Sequence, residues 1–233
     1  MKKIFIIANW KSYKTLKEVK SWFDELGKIS VSEEKKVVIC VPFIFLSEMN
    51  AIIKNNKLPI ELGTQNISPF DQGAYTGEVF AGQVIDFAKY AIVGHSERRR
   101  YFHETDDDVI AKLRCLIKNN ITPILCISDM KQMDYYLLKD KIITEKANDI
   151  IFVYEPPNAI SGGGQFHAES PEVANQNAGQ ISQKIGKKVT TLYGGSLNKE
   201  NAKSFFTLVN IDGGLIGQAS LDPFEFLQII KNA

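Results

Sequence analysis

The stretch Tyr90-Ala91-Ile92-Val93-Gly94-His95-Ser96-Glu97-Arg98-Arg99 gives the first indication of the fold. Its apolar half is typical of a short strand, and polar and charged side chains follow at once. A histidine and a glutamate therefore lie where a strand is predicted to end and the next element to begin. In parallel α/β proteins, functional side chains collect at this edge of the sheet. The stretch thus favours a parallel α/β fold with its chemistry at the strand ends.

Seven other short apolar runs are spread along the chain. Most of them are continuous rather than alternating, which is typical of strands buried on both faces of a parallel sheet. The seven runs are residues 4–8, 37–41, 60–63, 122–126, 151–154, 189–193 and 214–217.

Helical patterns separate most of these runs. Residues 16–26 repeat apolar side chains at helical spacing after Thr15, and Glu18 completes a capping-box pattern. Ser170-Pro171 and Asp222-Pro223 each place a cap residue before a proline at the first helical position. The pattern predicts helices that alternate with the strands.

Eight strand predictions that alternate with helices fit a closed (β/α)8 TIM barrel best. Such barrels usually have about 250 residues, and this chain has 233. An open doubly wound sheet is the alternative from periodicity alone, because the connection between the third and fourth runs has weak helical periodicity. Since we find no linker, repeat or low-complexity segment, we expect one domain over residues 1–233.

The composition is that of a globular protein with a large core, with 44% hydrophobic and 24% charged residues. A net charge of +1 gives no electrostatic reason to expect nucleic-acid or membrane binding. Residues 1–8 run directly into Asn9-Trp10-Lys11 without a cleavage pattern, so we interpret them as a strand rather than a signal peptide. Three cysteines, an odd number, predict buried free thiols and a cytoplasmic location.

Polar residues follow three of the predicted strands. Asn9 and Lys11 follow the first strand, His95 and Glu97 the fourth, and Glu155 the sixth. A carboxylate at the mouth of a barrel is placed to act as a base. Each residue also has an ordinary interpretation, as a solvated lysine, a surface histidine at a helix start or a strand-terminal acid. The residues alone leave both interpretations open.

Two kinds of loop follow the later strands. One loop begins with two stiff prolines and ends with three flexible glycines: Pro156-Pro157-Asn158-Ala159-Ile160-Ser161-Gly162-Gly163-Gly164. This pattern predicts a hinged lid, with a plain flexible loop as the alternative. Tyr193-Gly194-Gly195-Ser196 and Asp212-Gly213-Gly214-Leu215-Ile216-Gly217-Gln218 place glycines after the last two strands. Backbone N–H groups there can bind an anion, although turn glycines are a common alternative.

Metal and nucleotide cofactors are not expected. His95, His103 and His167 form no metal-binding pattern, and the cysteines are not paired in sequence. The chain has neither a GxGxxG motif after a strand nor a Walker A motif.

Together, the motifs of this chain resemble those of the triosephosphate isomerase family, in order over nearly the whole length. They are Ala8-Asn9-Trp10-Lys11, Gln65-Asn66, Tyr75-Thr76-Gly77-Glu78, Gly94-His95-Ser96-Glu97-Arg98-Arg99, Tyr154-Glu155-Pro156, Ala159-Ile160, Tyr193-Gly194-Gly195-Ser196, Asp212-Gly213 and Ala219-Ser220-Leu221.

The resemblance implies an enzyme without cofactor or metal that interconverts dihydroxyacetone phosphate and D-glyceraldehyde 3-phosphate, in glycolysis and gluconeogenesis. Glu155 is then the base that moves a proton between two substrate carbons, and neutral His95 polarises the carbonyl, a division of roles known from that family. Lys11 places a cation beside the developing oxyanion, Asn9 orients the substrate, and Glu97 supports catalysis.

The resemblance also implies how the substrate is held. Ser161, Ser196, Gly217 and Gln218 bind the phosphate, largely through backbone N–H groups, while Asn9 and Lys11 also contact the substrate. The lid over residues 156–164 excludes water from an enediolate that otherwise loses phosphate.

The resemblance further implies a homodimer with no nucleic-acid or membrane partner. Thr76, in the loop after the third strand, is similar to the family residue that reaches the active site of the neighbouring subunit.

Several positions depart from the usual family pattern. They are Asn158 for tryptophan, Ser161 for glycine, Gly162 for threonine, Gln218 for glycine, and Ser128-Asp129 for Gly-Glu. The lid loses an apolar contact and gains flexibility, so its closure is expected to be less favourable. Two other functions stay open: another phosphosugar isomerase or epimerase on the same barrel, and an inactive binding paralogue.

Overall fold

Eight parallel strands form a closed ring, in which β1 pairs with both β2 and β8. The structure, a computed structural model, describes residues 2–156 and 168–233. The strands are β1 (Ile4–Asn9), β2 (Lys35–Val41), β3 (Ile60–Thr64), β4 (Tyr90–Val93), β5 (Thr122–Ile127), β6 (Ile151–Tyr154), β7 (Thr191–Tyr193) and β8 (Gly213–Ile216). The prediction of a (β/α)8 TIM barrel is confirmed, and the closed ring excludes the open sheet.

Helices lie between the strands along the chain, as the periodicity predicts. They are α1 (Leu16–Leu26), α2 (Leu46–Asn55), α3 (Ala81–Val84), α4 (Ser96–Phe102), α5 (Asp106–Lys118), α6 (Met130–Lys139), α7 (Ile142–Glu145), α8 (Pro171–Ile185), α9 (Ala202–Phe206) and α10 (Pro223–Asn232). The predicted caps are present, because Thr15 forms a capping box with Glu18, and the Ser170 and Asp222 side chains accept backbone N–H bonds at the starts of α8 and α10.

Two segments differ from a regular alternation. Residues 65–80 contain neither helix nor strand, and α3 is only four residues long, which accounts for the weak periodicity of this connection. The strand β7 is shorter than predicted, because the Val189 N–H donates to Ser182 Oγ rather than to a neighbouring strand.

The core divides into two clusters of buried side chains. The smaller cluster, which includes Ile7, Ile92, Val153 and Leu215, consists only of strand residues and fills the barrel. The larger cluster joins the other faces of the strands to the helices. Apolar side chains fill the interior of the barrel. The polar side chains that follow the strands therefore lie at its carboxyl end.

Within the described residues, no helix is both long and apolar enough to cross a membrane.

Candidate active site

Lys11 comes shortly after the end of β1 and has a left-handed backbone conformation. Its φ is +49°, which is uncommon for a residue other than glycine. The Asn9 side chain stabilises this turn, because its Oδ1 accepts the Lys11 N–H at 3.1 Å. The Lys11 ammonium then donates to Glu97 Oε1 at 2.6 Å. Asn9 thus directs the cation towards the start of α4, at the mouth of the barrel.

His95 is the N-cap residue of α4, and its hydrogen bonds define the state of the imidazole. Nδ1 accepts the Glu97 N–H at 3.2 Å. A ring nitrogen that accepts a hydrogen bond carries no proton, so in this network the imidazole is neutral and protonated at Nε2. That Nε2 lies 3.0 Å from Glu155 Oε1. His95 therefore presents a single N–H donor to the site.

Glu155 follows β6 directly and is only 1% exposed. Its Oε2 accepts the Ser96 N–H at 2.9 Å and lies 3.4 Å from Ser128 Oγ. Among the residues that the structure describes, no lysine or arginine nitrogen lies within 4 Å of this carboxylate, and His95 is its one basic partner at that distance. The carboxylate is thus buried among neutral donors.

The backbones after β7 and β8 approach the same residues. A Cβ added to Gly194 would lie 2.6 Å from Val153 Cγ1 and 3.6 Å from Glu155 Cα. A Cβ added to Gly217 would lie 3.5 Å from Lys11 Cε. The glycine loops therefore line both sides of the site, next to the predicted base and the predicted cation.

The structure also describes the other two predicted phosphate ligands on these loops. Ser196 is buried, and its carbonyl accepts from Asn201 Nδ2 at 3.1 Å. Gln218 begins a short 3-10 turn, Gln218–Ser220. Its φ is not positive, so a side chain at this position causes no backbone strain.

A cavity of about 420 Å³ opens beside these residues. The polar part of its lining includes Asn9, Lys11, His95 and Glu97. The apolar part includes Phe43, Ile44 and Phe102. The cavity thus places the predicted polar residues next to an apolar surface.

A second buried carboxylate, Glu104, lies behind the His95 turn. Its Oε2 accepts from Arg98 Nε at 2.6 Å and from Lys112 Nζ, which also donates to Asn66 at 2.7 Å. Its Oε1 accepts the Gly94 N–H at 3.1 Å. Burial alone would raise the pKa of Glu104, but Lys112 and Arg98 outweigh burial and hold that pKa below its ordinary value.

The structure brings most of the predicted residues together. Asn9, Lys11, His95, Glu97 and Glu155 form one cluster at the carboxyl end of the barrel, with Gly217 beside it. Thr76 does not belong to that cluster and lies in an exposed turn after β3.

The predicted lid is described only at its first residue. Pro156 is buried next to Glu155. Pro157, Asn158, Ala159, Ile160, Ser161, Gly162, Gly163 and Gly164 lie outside the described residues, so the predicted role of Ser161 is not addressed by the structure.

Two residues near the site had no predicted role. Ser128 stands where the family usually has glycine, and its hydroxyl reaches Glu155. Arg99 belongs to the quoted motif, and its Nε donates to the Gly94 carbonyl at 2.8 Å. The unusual serine was a usable sequence signal, whereas the Arg99 contact depends on a side-chain direction that no local pattern gives.

No group of three or more histidine, cysteine, aspartate or glutamate side chains that could hold a metal ion occurs within residues 2–156 and 168–233.

Comparison with known proteins identifies the family. A family model described as "Triosephosphate isomerase" matches residues 4–233. The triosephosphate isomerase of Mesomycoplasma hyorhinis is 37% identical over 242 residues, which cover 99% of this chain and 98% of the relative. That of Trichodesmium erythraeum is 39% identical over 244 residues, with 99% of each chain covered. That of Dictyoglomus turgidum is 36% identical over 254 residues, with both chains fully covered. With a match of this length on a closed (β/α)8 barrel, the chain belongs to the triosephosphate isomerase family.

Proposed function

We propose that the protein interconverts dihydroxyacetone phosphate and D-glyceraldehyde 3-phosphate by proton transfer through an enediolate. The observation that carries this proposal is the pairing of His95 Nε2 with Glu155 Oε1 at 3.0 Å. One residue offers a proton and the other accepts one, at the mouth of a barrel with a lysine nearby. An aldose–ketose isomerisation needs this combination.

Glu155 is the base in this mechanism. Its carboxylate takes a proton from the carbon next to the substrate carbonyl, and the electron pair of that C–H bond forms the carbon–carbon double bond of the enediolate. The same carboxylic acid then returns the proton to the neighbouring carbon. Since its present partners are the neutral groups of His95, Ser96 and Ser128, no ion pair has to break before Glu155 reacts.

His95 is the proton donor to oxygen. As the carbonyl electrons move to oxygen, the Nε2–H stabilises the developing charge and transfers its proton, and the second substrate oxygen returns a proton to Nε2. Because Nδ1 is held by the Glu97 N–H, only Nε2 takes part.

Lys11 supplies positive charge beside the developing oxyanion. Glu97 holds its ammonium at 2.6 Å, and Asn9 holds its backbone in the left-handed turn. The cation is thus positioned before the substrate binds, so that little reorganisation is needed during the reaction.

The substrate phosphate binds at the glycine loops in this proposal. The backbones of Ser196, Gly217 and Gln218 are the donors that we assign to it, together with Ser161 of the lid. The lid, residues 156–164, covers the bound substrate and excludes water.

We also propose a homodimer in which Thr76 approaches the site of the partner subunit. An exposed apolar surface near the cavity supports this proposal: Ile44 is 81% exposed and Phe102 is 67% exposed. Monomeric proteins rarely expose large apolar patches, and such patches often mark protein–protein contact surfaces.

The remaining assignments follow from the same reaction. We propose one domain over residues 1–233, a cytoplasmic location and a small phosphosugar as the sole substrate class. The three free, buried cysteines, Cys40, Cys115 and Cys126, support a reducing compartment.

A steady-state assay with glyceraldehyde 3-phosphate, coupled to the detection of dihydroxyacetone phosphate, tests the function. We expect turnover that is unchanged by EDTA. Turnover that EDTA abolishes would point to a metal-dependent phosphosugar enzyme instead. Tight binding of phosphate or of an enediolate mimic without any turnover would identify an inactive binding paralogue.

A further inference from the structure

The backbone of Gly94, directly before His95, is held by one side chain at its N–H and by another at its carbonyl. Glu104 Oε1 accepts the Gly94 N–H, and Arg99 Nε donates to the Gly94 carbonyl at 2.8 Å. Gly94 has a φ of +70°, and a Cβ there would lie 3.0 Å from Arg99 Nη2. The guanidinium therefore packs directly against the turn that carries the imidazole.

Arg99 is itself fixed by two groups on the neighbouring helices. Its Nη1 donates to Asp106 Oδ1 at 2.7 Å, at the first turn of α5. Its Nη2 donates to the hydroxyl of Tyr136, on α6. The Tyr136 hydroxyl in turn donates to Asp106 Oδ1 at 2.7 Å, and its side chain is fully buried. The three groups form a closed hydrogen-bonded triangle.

We propose that Tyr136 and Arg99 are positioning residues for His95, acting through the Gly94 carbonyl. The proposal rests on the proposed isomerase function, because it concerns the geometry of its proton donor. The guanidinium group is planar and rigid, so its hydrogen bonds fix the direction as well as the length of each contact. Its bond to Tyr136 restricts the Arg99 guanidinium to a single orientation.

Proton transfer by His95 depends closely on the position of its imidazole. The imidazole is held by the long Nδ1 bond to the Glu97 N–H, at 3.2 Å, and by the Nε2 contact with Glu155 Oε1, at 3.0 Å. The substrate displaces the second contact in the proposed reaction, so the position of the ring then depends on the backbone that carries it. Misplacing a catalytic group by a fraction of an ångström slows proton transfer while leaving substrate contacts in place. Loss of the Tyr136 hydroxyl is therefore expected to lower kcat and to leave KM nearly unchanged.

The adjacent tyrosine offers a matched control. Tyr135 also lies on α6, and its hydroxyl donates to Asp107 Oδ1 of α5 at 2.9 Å. Asp107 pairs with Lys139 rather than with Arg99. Tyr135→Phe thus removes a similar bond between the same two helices without touching the contact to Gly94.

The first test compares Tyr136→Phe with Tyr135→Phe in the steady-state assay. We expect Tyr136→Phe to lower kcat about five- to tenfold, the loss of one buried hydrogen bond, with KM within twofold of the wild type. Tyr135→Phe is expected to keep the wild-type kcat. Equal kcat values for Tyr136→Phe and the wild type would overturn the proposal, as would equal losses in both variants.

A double-mutant cycle with His95→Gln separates positioning from general loosening of the fold. If Tyr136 acts through the imidazole, Tyr136→Phe costs no further activity once His95 is glutamine. Additive losses would overturn the proposal. A wild type without turnover would instead refute the proposed isomerase function, so the two failures are distinguishable.

Arg99→Lys provides a second variant, in case Tyr136→Phe folds poorly. Lysine keeps a cation near Asp106 but lacks the fixed fork that reaches both Gly94 and Tyr136. We expect a loss in kcat at least as large as for Tyr136→Phe, again with unchanged KM. A variant with wild-type kcat would contradict the positioning role of Arg99.

Discussion

Glu155 and Glu104 are two buried carboxylates near the same end of the barrel, with opposite surroundings. Glu104 contacts two cations, Arg98 and Lys112. Glu155 contacts only neutral donors among the described residues: the His95 imidazole, the Ser96 N–H and, more distantly, the Ser128 hydroxyl.

The difference separates a structural carboxylate from a reactive one. A carboxylate paired with cations is held in its charged form, and the lowered pKa makes it a weaker base. A carboxylate held by neutral donors can exchange them for a substrate C–H group. Burial alone therefore does not identify a catalytic acid or base, whereas the charge of its partners does.

The largest expected effect is that of Glu155→Gln. The amide cannot take a proton from carbon, so kcat is expected to fall by about 10³- to 10⁴-fold, within the range for loss of a general base. Binding of a phosphate-bearing enediolate mimic, measured by calorimetry, should fall far less. A variant that keeps a tenth of the wild-type kcat would exclude Glu155 as the base.

Glu104→Gln is the same substitution in the second carboxylate. We expect it to change the free energy of unfolding more than kcat. It leaves Lys112 buried without a charged partner, which costs about 3–5 kcal/mol of unfolding free energy. Urea unfolding at a fixed protein concentration measures this loss. In the control double variant, Glu104→Gln with Lys112→Met, the buried ammonium is gone, so the loss should be smaller.

The pH dependence of this stability difference has a definite sign. The pKa of Glu104 is lowered in the folded protein, so its contribution is present above the unfolded pKa, about 4.3, and is lost as the pH falls through the folded value. The gap in unfolding free energy between wild type and Glu104→Gln should therefore shrink from pH 5 towards pH 3. Since both proteins share all other carboxylates, a gap that stays constant over this range would contradict the assignment.

Ser128→Ala should have the smallest effect. The Ser128 hydroxyl lies 3.4 Å from Glu155, a long distance for a hydrogen bond between oxygens. We expect kcat to change by about two- to fivefold, the value of one weak hydrogen bond. Ser128→Gly, which restores the usual family residue, should behave alike. A hundredfold loss in either variant would make Ser128 an essential group rather than a minor partner of the base.

Most of the barrel could be predicted from the sequence, because its signals are local. Continuous apolar runs mark strands buried on both faces, and capping residues such as Thr15 and Ser170 mark helix starts. The segment 65–80 could not be predicted, since its conformation has no repeating pattern to read. The late start of β7, at Thr191, depends on a contact of Val189 with Ser182, which lies on another element.

The candidate site could be predicted as a set of residues but not as a geometry. Strand ends placed Lys11, His95 and Glu155 at one edge, and the motifs gave their expected roles. The left-handed turn of Lys11 and the contact of Arg99 with Gly94 depend on side-chain directions set by tertiary packing. Sequence patterns carry no information about such directions.

The pairing of β1 with β8 has a consequence for synthesis on the ribosome. The first strand emerges early, but its second neighbour is made only when residues 213–216 have left the exit tunnel. Until then, every nascent chain carries an unpaired sheet edge, which is open to non-native association. Lys11 and Gly217 likewise become neighbours only when β8 pairs with β1, so the site is completed late in folding.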